Sequence, residues 1–391
     1  MPEEMLADST DFYALFSDVE GSDQDFWQRA RQFGSEAAPQ VNDCWEQASY
    51  PVHLVKRMGE LGLVSDGLDI PGLDTMSPLA AGLVMMEIAR CDVSMAAFVA
   101  IQGGLVLRSI HRYGSDEQKQ QWLTPLAKAE KLAGFGLTEP THGSDSVALE
   151  TTARRDGDEW VINGQKMWIG NGGVGDMTVI WARMDDGEVG AFLVDQKTPG
   201  YSAEMITGKV SFRIIPQATI TMTDMRVPES CRMPGATSFK CAATVLFFTR
   251  SAISWMALGS AMACYEAALK HSLERQQFGK PLASFQLIQQ RLANMLQDLT
   301  SMALHCRRIA DLEAAGKLVQ QQASMAKLHN TRAARRIAAE ARDMLGGSGI
   351  LLENNVMRHM ADIESMHTFE GTESVQSLIL GKKITGIGAF R

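Results

Sequence analysis

A single glutamate near the C-terminus, Glu370, is the residue of this sequence best suited to acid–base chemistry. It lies in the segment Phe369-Glu370-Gly371-Thr372, between an aromatic residue and a glycine. A carboxylate enclosed by apolar groups has its charged form disfavoured, so its pKa rises towards neutrality. Such a carboxylate can abstract a proton from a weak carbon acid. Most glutamates are solvated surface charges, so this segment alone does not establish a catalytic role.

Four further segments, taken together with Phe369–Thr372, favour a catalytic role for Glu370. They are residues 136–145 (GLTEPTHGSD), 163–171 (NGQKMWIGN), 275–282 (RQQFGKPL) and 344–350 (MLGGSGI). In this order, and with FEGT after them, they resemble the acyl-CoA dehydrogenase family of flavoenzymes, from roughly residue 15 to the C-terminus. The C-terminal third is most similar to the branch that holds glutaryl-CoA dehydrogenases and short-chain acyl-CoA oxidases.

The resemblance implies α,β-dehydrogenation of an acyl-CoA, with FAD as cofactor and electron transfer flavoprotein as electron acceptor. Glu370 would remove the α-proton and flavin N5 would accept the β-hydride, giving a trans-2-enoyl-CoA as in fatty acid β-oxidation. In the family, the backbone N–H of the base and a ribityl hydroxyl of FAD polarise the thioester carbonyl. A second branch places its base just before an arginine on the first long C-terminal helix, where this chain has Thr249 before Arg250. A hydroxyl cannot replace a carboxylate, so Glu370 is the predicted catalytic base.

The resemblance also assigns residues to the cofactor. The predicted FAD-binding residues are Thr138, Ser144, Trp168, Gly170, Arg275, Phe278, Asp343, Gly346, Gly347 and Thr372. Thr138 and Trp168 match residues at the isoalloxazine, whereas Arg275 and Phe278 match residues that reach the FAD of a neighbouring subunit in a homotetramer. Taken alone, Trp168 is better explained as a core aromatic, and only the surrounding motif favours the flavin. Arg275 and Phe278, taken alone, fit an ordinary helix end before Gly279.

A second set of residues is predicted to bind the acyl-CoA: Ser144, Ala97, Phe98, Ile101, Arg250, Phe369 and Gly371. Arg250 either contacts CoA or supports its helix, and the residues at 97–101 are explained equally well as helix core. The arginine that binds the distal carboxylate in the glutaryl-CoA enzyme aligns with Ala96. Because a buried carboxylate without a cationic partner is costly, we expect a neutral acyl tail. The bulk of Phe98 indicates a short or branched chain.

Gly170 is the clearest departure from the family pattern. Dehydrogenases of the family have W-I-T-N where this chain has W-I-G-N, and the threonine hydroxyl lies near flavin N5. Space left by the missing side chain would admit O2, so an acyl-CoA oxidase that forms hydrogen peroxide is the alternative function. A backbone with positive φ would also explain the glycine. A non-dehydrogenating flavoprotein of the same fold is a third possibility, although retention of Glu370 speaks against it.

Composition excludes several other classes of protein. The chain has 391 residues, 45% hydrophobic and 21% charged, with a net charge of −9 and no basic block, so we expect a globular protein that binds no nucleic acid. No apolar run reaches the roughly 18 residues of a membrane helix, and the acidic start lacks a signal-peptide pattern. We therefore expect a cytoplasmic protein without membrane insertion. The six cysteines are scattered, and no cluster of side chains predicts a metal site.

The elements that position these residues follow from periodicity. Apolar residues recur at helical spacing in the first part of the chain and, over longer stretches, in the last part. Between them lie short runs of β-branched and aromatic residues separated by Asp-Gly and Pro-Gly turns. We therefore expect an α+β protein with an N-terminal helical domain (residues 1–132), a middle antiparallel β-domain (133–235) and a C-terminal four-helix-bundle-like domain (236–391).

Overall fold

The computed structural model describes residues 10–389. The N-terminal helices are α1 (Gly21–Gln47), α2 (Val52–Glu60), α3 (Pro78–Cys91), α4 (Val93–Val99), α5 (Arg108–Tyr113) and α6 (Asp116–Ala127). Between α4 and α5 the helix continues without a break as a π-helical segment, Ala100–Leu107. Such wide turns occur often at functional sites, and this segment is a central part of the candidate site.

The middle of the chain forms a seven-stranded sheet. Its strands are β1 (Ala133–Gly136), β2 (Thr152–Asp156), β3 (Glu159–Gly170), β4 (Met177–Met184), β5 (Val189–Asp195), β6 (Tyr201–Met205) and β7 (Gln217–Pro228). The order is β1-β4-β2-β3-β7-β6, with β5 also paired to β4. Since β1 and β2 both run parallel to β4, the sheet is mixed and not wholly antiparallel as expected.

The C-terminal part is helical again. It consists of α7 (Phe239–Glu274), a small hairpin of β8 (Gln276–Gln277) and β9 (Lys280–Pro281), then α8 (Gln286–Ala314), α9 (Gln320–Met344), α10 (Val356–Thr368) and α11 (Glu373–Thr385). The predicted order of a helical, a β and a helical part is confirmed. The predicted domain limits, 132/133 and 235/236, fall in connections between elements and stay a prediction.

The N-terminal helices and the C-terminal bundle share one apolar core. Helices α3 and α7 approach closely because glycines lie at their contact. A Cβ atom on Gly82 would lie 2.2 Å from the Trp255 indole, and one on Gly259 would lie 2.0 Å from the carbonyl oxygen of Met86. A second apolar cluster joins the π-helical segment to α6, α7 and the sheet. The π-helical segment therefore contacts all three parts of the chain.

Two stretches have the length and composition of a membrane span, Val93–Tyr113 and Phe239–Glu274. Neither is an uninterrupted apolar run, since Arg108 lies in the first stretch and Lys240 and Arg250 lie in the second, and the absence of membrane insertion stays an expectation. Within the protein, 94% and 67% of their most apolar windows are buried. Their apolar character thus serves the protein core, where uniformly apolar helices are also found.

Candidate active site

Residues 369–372 form a strained turn between α10 and α11. Glu370 has a φ of 55° and Gly371 a φ of 87°. A residue with a Cβ atom in this left-handed region costs about 1–2 kcal/mol relative to the right-handed conformation. Such strain persists only where the surroundings over-determine the backbone, and it is concentrated at active sites.

Two buried side chains hold the carbonyl groups of this turn. Lys327 of α9 is 1% exposed, and its Nζ donates to the carbonyl oxygens of Phe369 and Gly371. Gln376 of α11 is fully buried, and its Nε2 donates to the carbonyl oxygens of Glu370 at 3.0 Å and Gly371 at 2.9 Å. Within residues 10–389, the backbone N–H of Glu370 has no hydrogen-bond acceptor. That N–H remains a donor for a ligand.

The carboxylate of Glu370 faces one hydroxyl and two cations. Its Oε2 accepts a hydrogen bond of 2.7 Å from Oγ1 of Thr249, in the first third of α7. Burial raises the pKa of Glu370 above its usual value, while the Thr249 hydrogen bond and the charges of Lys327 and Arg250 oppose that rise. Burial also lowers the pKa of Lys327, to about 7. A carboxylate of raised pKa is suited to abstracting a proton near neutral pH.

Arg250 is a second buried cation beside the predicted base. It is 7% exposed, and its Nε and Nη1 have no hydrogen-bond partner in the described part of the chain. Burial lowers its pKa, and the charge of Glu370 counteracts that effect. Unpaired N–H groups in the interior are costly. Of the two predicted roles for Arg250, these groups favour contact with a ligand over support of the helix.

A buried ion pair fixes the loop that follows β1 against β3. Lys166 has no exposed surface, and its Nζ donates to Oε1 of Glu139 at 2.8 Å. The same carboxylate accepts from the backbone N–H of Glu150 and Thr151. Burial alone would raise the pKa of Glu139, but the charge of Lys166 and these hydrogen bonds lower it to about 2. Both residues lie inside the quoted motifs, yet sequence reasoning assigned neither a role.

Trp168 and Thr138 meet where this pair holds the chain. The backbone N–H of Met167 donates to the carbonyl of Thr138 at 2.9 Å, and β3 carries an irregularity between Lys166 and Ile169. Trp168 has a φ of 66°, and 51% of its surface is exposed. A large aromatic ring held in a strained, exposed position is not a core aromatic. It is a platform suited to a planar ring system such as a flavin.

The sequence suggested either open space beside Gly170 or a positive φ at this residue, which ends β3. The structure shows neither. The φ of Gly170 is not positive, so the backbone explanation is wrong. A Cβ atom there would lie 2.5 Å from Cδ1 of Ile101 and 3.7 Å from Cδ1 of Ile215. Ile101, from the π-helical segment, thus fills the space that a side chain at position 170 would take.

The residues predicted to bind the acyl-CoA differ in exposure. Phe98 is fully buried and Ala97 is 5% exposed, both within the helical core, whereas Ile101 is half-buried. Phe369 is half-buried and packs edge-to-face on Phe212, with ring centroids 5.4 Å apart. Ser144 is exposed in the loop after β1. Their contacts with a substrate stay predictions.

The π-helical segment and the 206–216 loop connect the two sides of the site. On the π-helical segment, Ile101 packs on Gly170, while a Cβ atom on Gly104 would lie 2.9 Å from Cγ2 of Thr249. On the loop, Phe212 contacts Phe369 and Ile215 lies beside Gly170. Thr372 caps α11, and its Oγ1 accepts from the N–H of Val375. The predicted base, Thr138, Trp168 and Gly170 therefore belong to one neighbourhood.

The remaining predicted FAD residues lie elsewhere. At about 1.5 Å per helical residue, Arg275 is roughly 40 Å from Thr249 along α7. Phe278 is 92% exposed. Asp343 is exposed and paired with Arg291 at 2.5 Å, and an added Cβ atom on Gly346 or Gly347 would meet no atom within 4 Å. Arg275 and Phe278 cannot reach the Glu370 site of their own chain.

Comparison with known proteins is consistent with this arrangement. Three family models match the chain: the acyl-CoA dehydrogenase N-terminal domain over residues 21–130, the middle domain over 134–225 and the C-terminal domain over 239–385. The chain is 36% identical to the mitochondrial short-chain specific acyl-CoA dehydrogenase of Rattus norvegicus, covering 90% of this chain and 87% of the relative. It is 33% identical to a probable acyl-CoA dehydrogenase of Bacillus subtilis (strain 168), covering 89% of this chain and 94% of the relative.

Solved structures of acyl-CoA dehydrogenases are also similar to this chain. A glutaryl-CoA dehydrogenase from Mycobacterium smegmatis has a TM-score of 0.95 and 38% identity, covering 98% of this chain and 99% of that chain. A structure of a glutaryl-CoA dehydrogenase from the same organism in complex with FADH2 has a TM-score of 0.94 and 37% identity, covering 97% and 98%.

Proposed function

This chain belongs to the acyl-CoA dehydrogenase family, and we infer that it oxidises a short or branched, neutral acyl-CoA to the trans-2-enoyl-CoA. It is an FAD-dependent oxidoreductase. The observation that carries the inference is the Glu370 turn. A carboxylate of raised pKa is held there in a strained backbone by Lys327 and Gln376, beside an unpaired backbone N–H.

Glu370 takes the α-proton of the thioester in this proposal. Its own backbone N–H donates to the thioester carbonyl, where negative charge develops as the proton leaves. Removal of one such donor typically costs roughly 3–4 kcal/mol of barrier. When bound, FAD would supply the acceptor for the β-hydride. Lys327 and Arg250 place positive charge beside the carboxylate and favour its ionised, proton-accepting form before the reaction.

The residues around Trp168 fit the flavin. The exposed indole offers a face for the ring system, and Thr138 is held beside it by the Glu139–Lys166 pair. Ser144, Gly170 and Thr372 complete the proposed contacts within one chain. Because Arg275, Phe278, Asp343, Gly346 and Gly347 lie away from this site, we propose that they contact the FAD of a neighbouring copy in a homotetramer. Electrons would then pass to electron transfer flavoprotein. The cytoplasmic location stays a prediction, and the rat relative is mitochondrial by name.

The neutral acyl group is proposed from the side chains near the π-helical segment. Ala96, which aligns with the carboxylate-binding arginine, is fully buried in the apolar core. The half-buried residue of this region, Ile101, is aliphatic. Position 96 offers a glutaryl carboxylate no cationic partner, and a carboxylate without such a partner is costly to bury. The solved glutaryl-CoA dehydrogenases thus share the fold of this chain, while we propose a different acyl specificity.

The oxidase alternative depends on open space beside Gly170. Ile101 occupies that space, so the glycine alone does not favour access of O2. A Gly170→Thr variant with unchanged oxygen reactivity would remove the alternative altogether. An Ile101→Ala variant provides the opposite change, since it opens the volume that the isoleucine fills.

One experiment tests the proposal and separates it from the alternative. The FAD-loaded protein is titrated anaerobically with butyryl-, isobutyryl-, octanoyl- and glutaryl-CoA while the visible flavin band is followed, and air is then admitted. We expect bleaching by butyryl- or isobutyryl-CoA, none by glutaryl-CoA, and slow reoxidation. Fast reoxidation with hydrogen peroxide would make the protein an oxidase. Bleaching by none of these thioesters would contradict dehydrogenation.

A further inference from the structure

We propose that the hydroxyl of Thr249 is a hydrogen-bond switch that serves Glu370 in both protonation states, as a donor to the carboxylate and as an acceptor from the carboxylic acid. The inference rests on the proposed role of Glu370 as the base. Thr249 is 1% exposed, so no bulk water is available to take over this hydrogen bond.

The hydroxyl of Thr249 has two acceptors within reach but only one hydrogen. Its Oγ1 lies 2.7 Å from Oε2 of Glu370 and 3.1 Å from the carbonyl oxygen of Leu246. A threonine hydroxyl offers one O–H donor and two acceptor lone pairs. Hydrogen bonds to ionised groups are shorter and stronger than those between neutral groups. While Glu370 is ionised, the Thr249 hydrogen therefore points to the carboxylate.

Transfer of the α-proton reverses this hydrogen bond. The C–H bond of the substrate breaks, its electron pair stays with the substrate carbon, and the proton forms an O–H bond on Glu370. That new O–H needs an acceptor, and Oγ1 of Thr249 has a free lone pair at hydrogen-bonding distance. The Thr249 hydrogen then rotates to Leu246. Oγ1 of Thr249 and Oε2 of Glu370 are thus hydrogen-bonded to each other in both states, which avoids the desolvation penalty of leaving either atom unpaired.

The charged groups around Glu370 do not make this hydroxyl redundant. Lys327 of α9 and Arg250 of α7 both favour the ionised carboxylate. The Nζ of Lys327 is hydrogen-bonded to the carbonyl oxygens of Phe369 and Gly371 and not to the carboxylate, and a guanidinium has no acceptor atom. Asp66 also lies beside Gly104, 3.5 Å from where a Cβ atom there would be, but its carboxylate is paired with Arg108 at 2.6 Å. The 206–216 loop presents Phe212 to this turn. Among residues 10–389, Thr249 is thus the neutral side chain hydrogen-bonded to the base, and it can both donate to it and accept from it.

The test compares Thr249→Val with Thr249→Ser in the FAD-loaded, full-length protein. Valine keeps the shape of threonine and removes the hydroxyl, whereas serine restores it. Thr300→Val is the matched control, because Oγ1 of Thr300 only donates to the carbonyl of Leu296 within α8, at 2.8 Å. The rate of anaerobic flavin bleaching by butyryl-CoA is measured from mildly acidic to mildly alkaline pH. In parallel, the carboxyl C=O infrared band that Glu370→Gln removes is titrated without substrate.

Loss of a donor to the ionised form raises the pKa of Glu370, so proton abstraction falls off at a higher pH. We expect the acid limb and the infrared titration of Thr249→Val to move up by about one pH unit, in line with a hydrogen bond to a charged group. Thr249→Ser and Thr300→Val should match the wild type. The proposal would be overturned if the pH profile and infrared titration of Thr249→Val were unshifted. It would also be overturned if Thr249→Ser showed the same shift as Thr249→Val.

A second variant covers the case in which Thr249→Val does not bind FAD. Thr249→Ala removes the same hydroxyl with a smaller side chain, and the same shift is expected. The outcomes also separate this inference from the proposed function. A wild-type protein that no acyl-CoA bleaches would contradict the dehydrogenase itself, whereas a bleached wild type with an unshifted Thr249→Val contradicts the switch alone.

Discussion

Two turns of this molecule share a pair of consecutive positive φ angles but differ in the contacts and exposure of their side chains. Glu370–Gly371 has φ values of 55° and 87°, and Phe278–Gly279 has 53° and 78°. In each, a residue with a side chain sits in the left-handed region, directly before a glycine that also has a positive φ. The carbonyls of the first turn are held by buried side chains of α9 and α11. The ring of the second is 92% exposed.

The difference indicates what stabilises each turn. At Glu370 the strain is offset inside the chain, by Lys327, Gln376 and Thr249. At Phe278 the described chain supplies one aromatic neighbour, Phe285, with ring centroids 6.1 Å apart. A strained, exposed aromatic needs a partner from outside the chain to gain from its position. We therefore regard the Glu370 turn as built within the monomer and the Phe278 turn as completed by another copy with its FAD.

Lys327→Met tests whether side chains of the same chain hold the Glu370 turn, and we expect it to have the largest effect on kcat. The variant loses the donor to the carbonyls of Phe369 and Gly371 and one cation beside Glu370. Misplacement of a catalytic group by about 1 Å can cost on the order of 10²-fold in rate. We expect kcat to fall by about that factor while bound FAD is retained, as measured by steady-state assay and the flavin spectrum.

The control for that variant lies on the same helix. Arg335 pairs with Glu364 at 2.8 Å on the surface, and exposed pairs contribute little to stability, typically below about 1 kcal/mol. Arg335→Met should leave kcat near the wild-type value. A Lys327→Met protein with wild-type kcat would show that the turn keeps its geometry without the lysine.

Phe278→Ala tests the second half of the comparison. The ring has little contact with its own chain, so the free energy of unfolding of the FAD-free protein should change by less than about 0.5 kcal/mol. If the ring stacks on the adenine of a neighbouring copy's FAD, its loss should weaken FAD binding about tenfold or more, since such stacking contributes about 1–3 kcal/mol. Equilibrium dialysis measures the affinity.

The control for Phe278→Ala is another exposed apolar residue nearby, Leu287, which is 73% exposed. Leu287→Ala should leave FAD affinity unchanged. Unaltered FAD affinity in Phe278→Ala would remove the argument that another copy completes this turn.

The smallest expected effect is the difference in the free energy of unfolding between Gly371→Ala and Gly279→Ala. Each substitution forces a Cβ atom into a positive-φ position, at a cost of about 1–2 kcal/mol. At Gly279 the added atom meets no atom within 4 Å, but at Gly371 it lies 2.5 Å from Nε2 of Gln376. Since that amide holds the carbonyls of the turn, Gly371→Ala should be more destabilising by about 1 kcal/mol. Urea unfolding of both variants measures the difference, and equal losses would contradict a tightly packed Glu370 turn.

The sequence was sufficient to predict the helical–β–helical order. Helical periodicity is strong in stretches such as Gln286–Ala314, and strands such as Met177–Met184 are rich in β-branched and aromatic residues. Strands β1, β2 and β6 were not predicted, because they have only four or five residues. The parallel partner of β1 and β2, strand β4, is distant from them in the sequence, so local patterns carry no information about this pairing.

In the candidate site, too, local sequence patterns did not predict contacts between distant elements. Glu370 and Trp168 were identifiable because they lie in motifs that resemble the family. Lys327 was not, because a lysine in a helix is ordinarily exposed, and its burial depends on the packing of α11 against α9. The reason for Gly170 was also hidden, since Ile101 contacts it from a π-helical segment that no local pattern predicted.

The central claim is that Glu370, held in its strained turn, is the base, and rapid anaerobic mixing of butyryl-CoA with wild-type and Glu370→Gln protein tests it most directly. Glutamine keeps the size of the side chain and cannot take the proton. We expect the wild-type flavin band to bleach and the variant, with FAD still bound, to bleach at least about 10²–10⁴-fold more slowly, the usual contribution of a positioned base. Bleaching of Glu370→Gln at the wild-type rate would contradict the account.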